Sequence, residues 1–298
     1  MTTPSPLGAR TFYLPRAVNV GLIRTPDDGV ILVDTGQDKN YGRAIRKACQ
    51  AAALTPVAIV NTHSHADHYG GNDYLARQFD LPVYAPPLEA AIIQNPFLEP
   101  MYLFAGGKPL RELTGKWLMG KPSPVHHLLA GEPLSIAGVD LRVHATPGHS
   151  PGHVSIGVDD VLYCADALFG MATLEKYGAP YTHDVGQQIA SIEVVRRTDY
   201  QLYLPAHGDP VEDVDALAEE NLAAIERTLD AVRGALSSPA DTSTVVYRVV
   251  ETLGKPPSGL PQYFLFQSLV MAYLSYLVDQ REITADVVEG RLLWKWIT

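Results

Sequence analysis

Short apolar, β-branched runs dominate the first part of the chain, and longer helical periods dominate its end. Residues 18–24 and 30–33 read as two strands joined through the turn Thr25-Pro26-Asp27-Asp28-Gly29. From 38 to 53, Ala44, Ile45, Ala48 and Ala52 fall on one side at helical spacing. Residues 56–61 (PVAIVN) form a continuous apolar run of the kind buried in a sheet, followed by a helix over 71–79 and a strand over 82–85. Strands are expected at 125–129, 134–136 and 139–145, and a hairpin at 154–158 and 161–164 through Asp159-Asp160. Residues 167–177 show no decisive period, whereas 184–197 read as a helix capped by Asp184, and 202–204 as a strand. Hairpins, helices and a further run of hairpins imply an α+β fold of two packed sheets with helices outside. Beyond 211 the pattern becomes helical, over 215–236, 244–253 and 263–278. A strand or hairpin at 282–298, containing Leu292, Leu293, Trp294 and Trp296, ends the chain. The expected organisation is a domain over 1–210 and a smaller, mostly helical one over 211–298.

One stretch departs from this regularity. Residues 94–124 hold five prolines, the pair Gly106-Gly107, and Phe97, Met101, Tyr102, Phe104 and Trp117. Long irregular insertions are usually functional or carry short helices of their own. An apolar lid over a site and a packed insertion or homodimer contact are both open here, because pocket walls and interfaces draw on the same residue types.

Composition narrows the class. A chain of 298 residues with 46% hydrophobic and 19% charged residues is an ordinary globular protein with a substantial core. The net charge of −10 argues against nucleic acid, whose binding rests on phosphate neutralisation. The 211–298 segment has 13 Asp and Glu against 7 Lys and Arg, a net of −6, which a DNA reader would not carry. Two cysteines, Cys49 and Cys164, give no disulfide framework and fit a reducing cytosol. Residues 1–10 lack a basic flank and apolar core, so no signal peptide is expected. The most apolar run, 263–278, is interrupted by Gln267, Ser268 and Ser275 and falls short of the ~20 residues of a membrane span, so a cytoplasmic protein without a membrane partner is expected.

The candidate chemistry lies at Thr62-His63-Ser64-His65-Ala66-Asp67-His68, directly after the buried run 56–61. His63 and His65, two residues apart on a loop, can project to one side and grip one ion; Asp67 and His68, past a bend, can turn towards a second. Imidazoles with one hard carboxylate suit zinc, and also iron or manganese.

HSHADH resembles the HxHxDH signature of the metallo-β-lactamase superfamily, and its other elements follow in order over roughly residues 10–210. Asp34-Thr35-Gly36 matches the first motif, with Asp34 expected to hold the metal loop and not to ligate. His149 stands in Thr146-Pro147-Gly148-His149, Asp166 ends the run 161–166, and His207 stands in Leu204-Pro205-Ala206-His207. The resemblance implies an αββα sandwich of the metallo-β-lactamase type, and three helices with a hairpin resemble the winged-helix-like appendage of some members. It implies a first metal on His63, His65 and His149, a second on Asp67, His68 and His207, and Asp166 bridging the two. It further implies a dinuclear metal-dependent hydrolase acting on a small-molecule substrate. There a metal-bridging hydroxide attacks a thioester, lactone or ester carbonyl, and Asp67 orients it and passes a proton to the leaving group.

Departures narrow the substrate. Phe169 stands where the acyl-homoserine lactonases carry a tyrosine. Glyoxalase II is expected to carry cationic residues that grasp glutathione after this motif; here Ala165-Asp166-Ala167-Leu168-Phe169 is followed by Gly170-Met171-Ala172-Thr173, and Lys176 is a weak candidate for such a grip. True β-lactamases generally lack an aspartate at 166. His183, in the loop between Asp166 and His207, is a candidate acid or oxyanion donor, while His153, His126, His127 and His144 read as structural or surface residues. Two other readings stand beside the hydrolase: a mononuclear iron persulfide dioxygenase drawing on the same motif positions, and a non-enzymatic, metal-stabilised interaction module.

Overall fold

The computed structural model describes residues 3–129 and 134–297; Met1 and Thr2 of the N-terminal segment and Thr298 of the expected hairpin lie outside them. The chain runs β1 (Ser5–Pro6), β2 (Thr11–Leu14), β3 (Val20–Arg24), β4 (Gly29–Val33), α1 (Lys39–Ala51) and β5 (Thr55–Val60). It continues through α2 (Ala66–Tyr69), α3 (Asn72–Phe79), β6 (Val83–Ala85), α4 (Pro87–Gln94), α5 (Leu98–Leu103), a 3-10 turn (Arg111–Thr114) and β7 (His127–Leu128). Then come β8 (Leu134–Ile136), β9 (Val139–Ala145), β10 (Val154–Val158), β11 (Val161–Ala165), α6 (Met171–Tyr177), α7 (Val185–Arg196) and β12 (Leu202–Pro205). The last elements are α8 (Val214–Ala235), β13 (Ala240–Asp241), α9 (Thr242–Leu253), α10 (Leu260–Asp279), β14 (Ile283–Val288) and β15 (Arg291–Trp296).

Strands β1 to β7 form one sheet in sequence order, and β12-β11-β10-β9-β8 form a second. The two-residue period of a strand sorts their side chains between layers. Ile23, Ile31, Val33, Ala58 and Val60 of the first sheet meet Val139, Leu141, Ile156, Val158 and Tyr163 of the second. The alternate residues Leu22, Val30, Leu32 and Ile59 face outward under Ile45, Ala48, Cys49 and Leu75 of α1 and α3. On the other side, Leu162 and Cys164 pack under Val185, Ile192 and Val195 of α7. Each fully buried aliphatic side chain contributes about 1.5–3 kcal/mol. Strands apolar on both faces therefore produce the αββα layering: each sheet is covered once by its partner and once by helices.

Several expected elements shift. Strand 125–129 shrinks to β7, because only His127 and Leu128 pair with β6. The helix expected near Gly70 is preceded by α2, so Asp67 and His68 sit on a helical turn and not in loop. Helices α4 and α6 occupy stretches with no expected helix, and the insertion contains α5 and a 3-10 turn. Leu103, Leu113 and Leu118 of the insertion pack with Phe264 and Leu265 of α10, and Tyr69 Oη accepts from Gly120 N at 3.0 Å. Trp117 remains 68% exposed.

The final strands form a small sheet, β13-β15-β14, that with α8 to α10 gives the winged-helix-like segment. Its core is continuous with the outer face of the second sheet, running from Leu162 and Tyr203 through Leu217, Leu229 and Tyr273 to Trp294. Among the described residues no helix is long and apolar enough to cross a membrane.

Candidate metal centre

Four chain segments meet at one edge of the sandwich. His63 to His68 follow β5, His149 follows β9, Asp166 follows β11, and His207 follows β12. Strand ends place side chains there because loops leaving a sheet are free of its pairing demands. Ala165, immediately before Asp166, takes φ +49°, and the pairing of β11 with β12 shifts between Tyr163 and Ala165. That local irregularity turns the Asp166 carboxylate into the site.

The ligand atoms of His63, His65 and His149 lie within 4.8 Å of one another, as do those of Asp67, His68 and His207, and of His63, His68 and Asp166. Asp166 joins the first two groups: Oδ2 is 3.2 Å from His149 Nε2 and 3.6 Å from His207 Nε2, and Oδ1 is 3.5 Å from His68 Nε2. Asp67 Oδ2 is 3.5 Å from His207 Nε2. His63 and His68 are fully buried, whereas the Asp67 side chain is 31% exposed.

The outer hydrogen bonds fix how these imidazoles present themselves. A carbonyl can only accept, so His149 donates from Nδ1 to Tyr181 O at 2.8 Å, and His207 from Nδ1 to Ala17 O at 3.1 Å. His68 donates from Nδ1 to Asp34 Oδ2 at 2.8 Å. The Thr62 hydroxyl donates to the same Asp34 oxygen at 2.7 Å and therefore accepts from His63 Nδ1 at 3.1 Å. All four histidines thus turn an Nε2 lone pair inward, towards His65 Nδ1 and two carboxylates. His65 Nδ1 stands 2.8 Å from His149 Nε2 and 3.1 Å from His63 Nε2. His68 Nε2 and Asp166 Oδ1 are buried, face each other and have no hydrogen-bond partner. Acceptors aimed at acceptors in a buried site are stable only around positive charge, and nitrogen and carboxylate donors suit a divalent ion such as zinc. The residues fit a dinuclear site.

The protonation tendencies agree. Burial, and then the neighbouring imidazoles, hold His63 well below the usual histidine range. Burial also opposes charge on His68, but the carboxylates of Asp166 and Asp34 outweigh it and push its pKa well up. Burial likewise works against the Asp166 carboxylate, yet His207, His68 and His149 hold it well below the usual range. The centre demands positive charge between these groups.

Asp34 lies outside the ligand groups. Its Oδ1 accepts from Thr62 N at 2.9 Å, so it ties the metal loop down as the sequence implied. His153 accepts from the Asp166 amide at 3.1 Å and bonds Thr146 Oγ1 at 2.9 Å, an outer support of the site. Burial first, and then His149, lowers its pKa to about 3, in keeping with that accepting role. His183 is exposed, with its backbone amide on Gly148 O at 2.8 Å, and is not among the ligand groups. Lys176 is exposed, its ammonium 4.7 Å from the centroid of the Tyr177 ring. His126 accepts from Val83 N, His127 stacks on Tyr84 and His144 bonds Tyr200. Phe169 and Tyr181 wall the centre, at 5.6 Å and 6.0 Å from the His149 ring.

Sequence reasoning missed two buried glutamates. Glu89 lies on α4 and is bonded to both ligand loops, and Glu99 lies on α5 in the insertion. The available signal was an acid on an otherwise apolar stretch, Leu88-Glu89-Ala90-Ala91-Ile92-Ile93.

An αββα sandwich with joined His/Asp groups on one edge defines a class of metal-binding protein. Comparison with known proteins agrees: the family model described as the metallo-beta-lactamase superfamily matches residues 13–207. The probable metallo-hydrolase YqgX of Bacillus subtilis is 30% identical over 202 residues, covering 65% of this chain and 86% of that protein. A hydroxyacylglutathione hydrolase of Xanthomonas campestris is 29% identical over 168 residues, 56% of this chain and 53% of that protein. The crystal structure of a metallo-beta-lactamase family protein from Thermus thermophilus superposes with a TM-score of 0.76 at 22% identity, over 98% of this chain and 100% of its own. The chain belongs to the metallo-β-lactamase superfamily, and its centre is of the metallo-hydrolase kind.

Proposed function

We propose that the protein is a hydrolase using two divalent ions, zinc by the chemistry of the donors, to cleave a thioester, lactone or ester carbonyl. The inward convergence of imidazole lone pairs on Asp166 carries this reading. His63, His65 and His149 would hold one ion and Asp67, His68 and His207 the other, with Asp166 within reach of both groups; bound there, the ions would supply Lewis acidity and acidify water. Asp67 is the acid of the ligand groups open to solvent, placed to orient an incoming water and accept its proton for the leaving group. Phe169 and Tyr181 cover the centre with aromatic surface, which excludes bulk water and favours an acyl group of apolar or mixed character. A thioester is the favoured substrate, on two grounds. Phe169 offers no hydroxyl where the lactonase pattern has one, and hydroxyacylglutathione hydrolases are among the relatives. The exposed position of Lys176 argues against a glutathione grip at that point and for a different thiol carrier.

The test is metal content per chain by elemental mass spectrometry, followed by thioester, lactone and ester panels on the wild type, Asp166→Ala and His207→Ala. Two metals per chain, thioester turnover, and loss of most of it in both folded variants is the expected result. Undiminished turnover in both variants sinks the assignment. One iron per chain, with oxygen uptake on adding a persulfide, would move the protein to the dioxygenases.

A further inference from the structure

We propose that Glu89 is a positioning residue for the metal centre, clamping the loop of His63 and His65 to the loop of His149 so that the first ligand triad is preformed. This rests on reading those histidines as metal ligands. Glu89 is 0% exposed and stands on α4, outside every recognised motif. Its two oxygens divide between the loops. Oε2 accepts from the backbone N–H of Ser64 at 2.9 Å and from the Ser64 hydroxyl. Oε1 accepts from the Ser150 hydroxyl at 2.8 Å and from Gly152 N at 2.7 Å. Ser64 lies between His63 and His65, and Ser150 adjoins His149. Four donors occupy the acceptor capacity of one carboxylate, and all four come from ligand-bearing loops.

The geometry also explains the residue types around the clamp. A Cβ at Gly152 would stand 3.2 Å from both Cγ and Oε1 of Glu89, so a larger residue there would press on the clamp and push it by a few tenths of an ångström. The loops are otherwise remote in sequence and leave different sheets: the first follows β5, the second β9. Their meeting at His63, His65 and His149 is therefore a contact across the sandwich that sheet pairing alone does not hold. The other triad, Asp67, His68 and His207, is supported by Asp34, which also reaches His63 through Thr62, and by Ala17 O, and none of these bonds involves Glu89. Loss of Glu89 should thus weaken one site and spare the other.

Glu89→Gln sharpens the test. An amide accepts at one end only, so in either orientation its NH₂ faces a backbone N–H, of Ser64 or of Gly152, that cannot turn away. Removal of outer-shell partners typically lowers metal affinity about 10–100-fold.

The experiment uses the full chain, stripped of metal and titrated with cobalt(II), reading stoichiometry and affinity by calorimetry and ligand geometry by visible absorption. The wild type is expected to bind two ions. Glu89→Gln is expected to bind one with wild-type affinity and the other about 10–100-fold more weakly, with an altered visible spectrum. Glu89→Gln with two unchanged affinities and spectra, even if its urea midpoint falls, overturns the clamp and leaves a purely structural glutamate. A wild type that takes no cobalt overturns the ligand reading itself, and the clamp with it. Should Glu89→Gln not fold, Ser150→Ala removes a single hydroxyl donor. A smaller loss confined to one ion supports the proposal, and unchanged binding of both ions overturns it.

Discussion

Asp34, whose own backbone is left-handed at φ +62°, accepts the Nδ1 proton of His68 on Oδ2 at 2.8 Å. The same carboxylate takes the amide and hydroxyl of Thr62, and through that hydroxyl fixes His63 as well. One acid outside the ligand groups thus sets the tautomer of two candidate ligand histidines.

Asp34→Asn should therefore weaken metal binding without unfolding the chain. The amide oxygen can serve either Thr62 Oγ1 and His68 Nδ1, leaving its NH₂ against Thr62 N, or Thr62 N, turning its NH₂ on His68 Nδ1 and driving that proton to the inward nitrogen; either way a support of the loop is lost. Affinity measured by competition with a chelator should fall about 10–100-fold. Unchanged affinity would show that His68 presents its lone pair without help.

Metal removal should destabilise the fold measurably. Chelation returns His68 Nε2 and Asp166 Oδ1 to the state of buried atoms without partners. A ligand at about 100 times its Kd stabilises by about 2.7 kcal/mol. For a chain of this size that is roughly 5 °C in Tm. Calorimetry with and without EDTA, followed by zinc readdition, checks this, and coincident melts count against it.

Neither cysteine should react in the native protein. Burial pushes the Cys49 thiol up to about 12 and raises that of Cys164 as well. Both are free and buried, so a thiol reagent at pH 8 should label none in the folded state and both after denaturation. Rapid labelling of either one in the native chain would contradict the packing of α1 or β11.

The Arg233–Glu282 pair ties α8 to the start of β14 with two bonds, at 2.9 and 3.0 Å. Hydrogen bonding from Arg233 holds the Glu282 pKa below its ordinary 4.5. A depressed folded-state pKa contributes stability above the unfolded value and loses it as pH falls through the folded value. Both side chains are more than a quarter exposed, so screening limits the effect. Glu282→Gln should cost about 1 kcal/mol or less at pH 7. At a pH below the folded-state pKa of Glu282 it should cost almost nothing. Urea melts at the two pH values decide it, and an equal loss at both would assign the effect to packing.

The metal centre was legible because its densest part is contiguous: His63, His65, Asp67 and His68 follow a run that can only be a buried strand. His149, Asp166 and His207 each end a strand, so their convergence followed once the sandwich was inferred. Glu89 was not legible, because its partners are set by tertiary approach of two loops and not by any local spacing. Helix α6 escaped because Gly170 and Gly178 bracket a segment with a single buried side chain, Leu174, leaving no period to detect. The pairing of β13 with β15 joins residues too far apart, and over too few positions, for strand patterns to reveal it.

The core that starts on Leu162 and ends on Trp294 has a consequence for how the protein can be divided. Tyr181, whose carbonyl orients His149, reaches with its hydroxyl to Ser268 of α10 at 3.3 Å. A chain cut after β12 would lay bare the outer face of α7 and free the Tyr181 hydroxyl from Ser268. In this chain the terminal helices thus form part of the wall that steadies His149, and removing them should lower both stability and metal affinity.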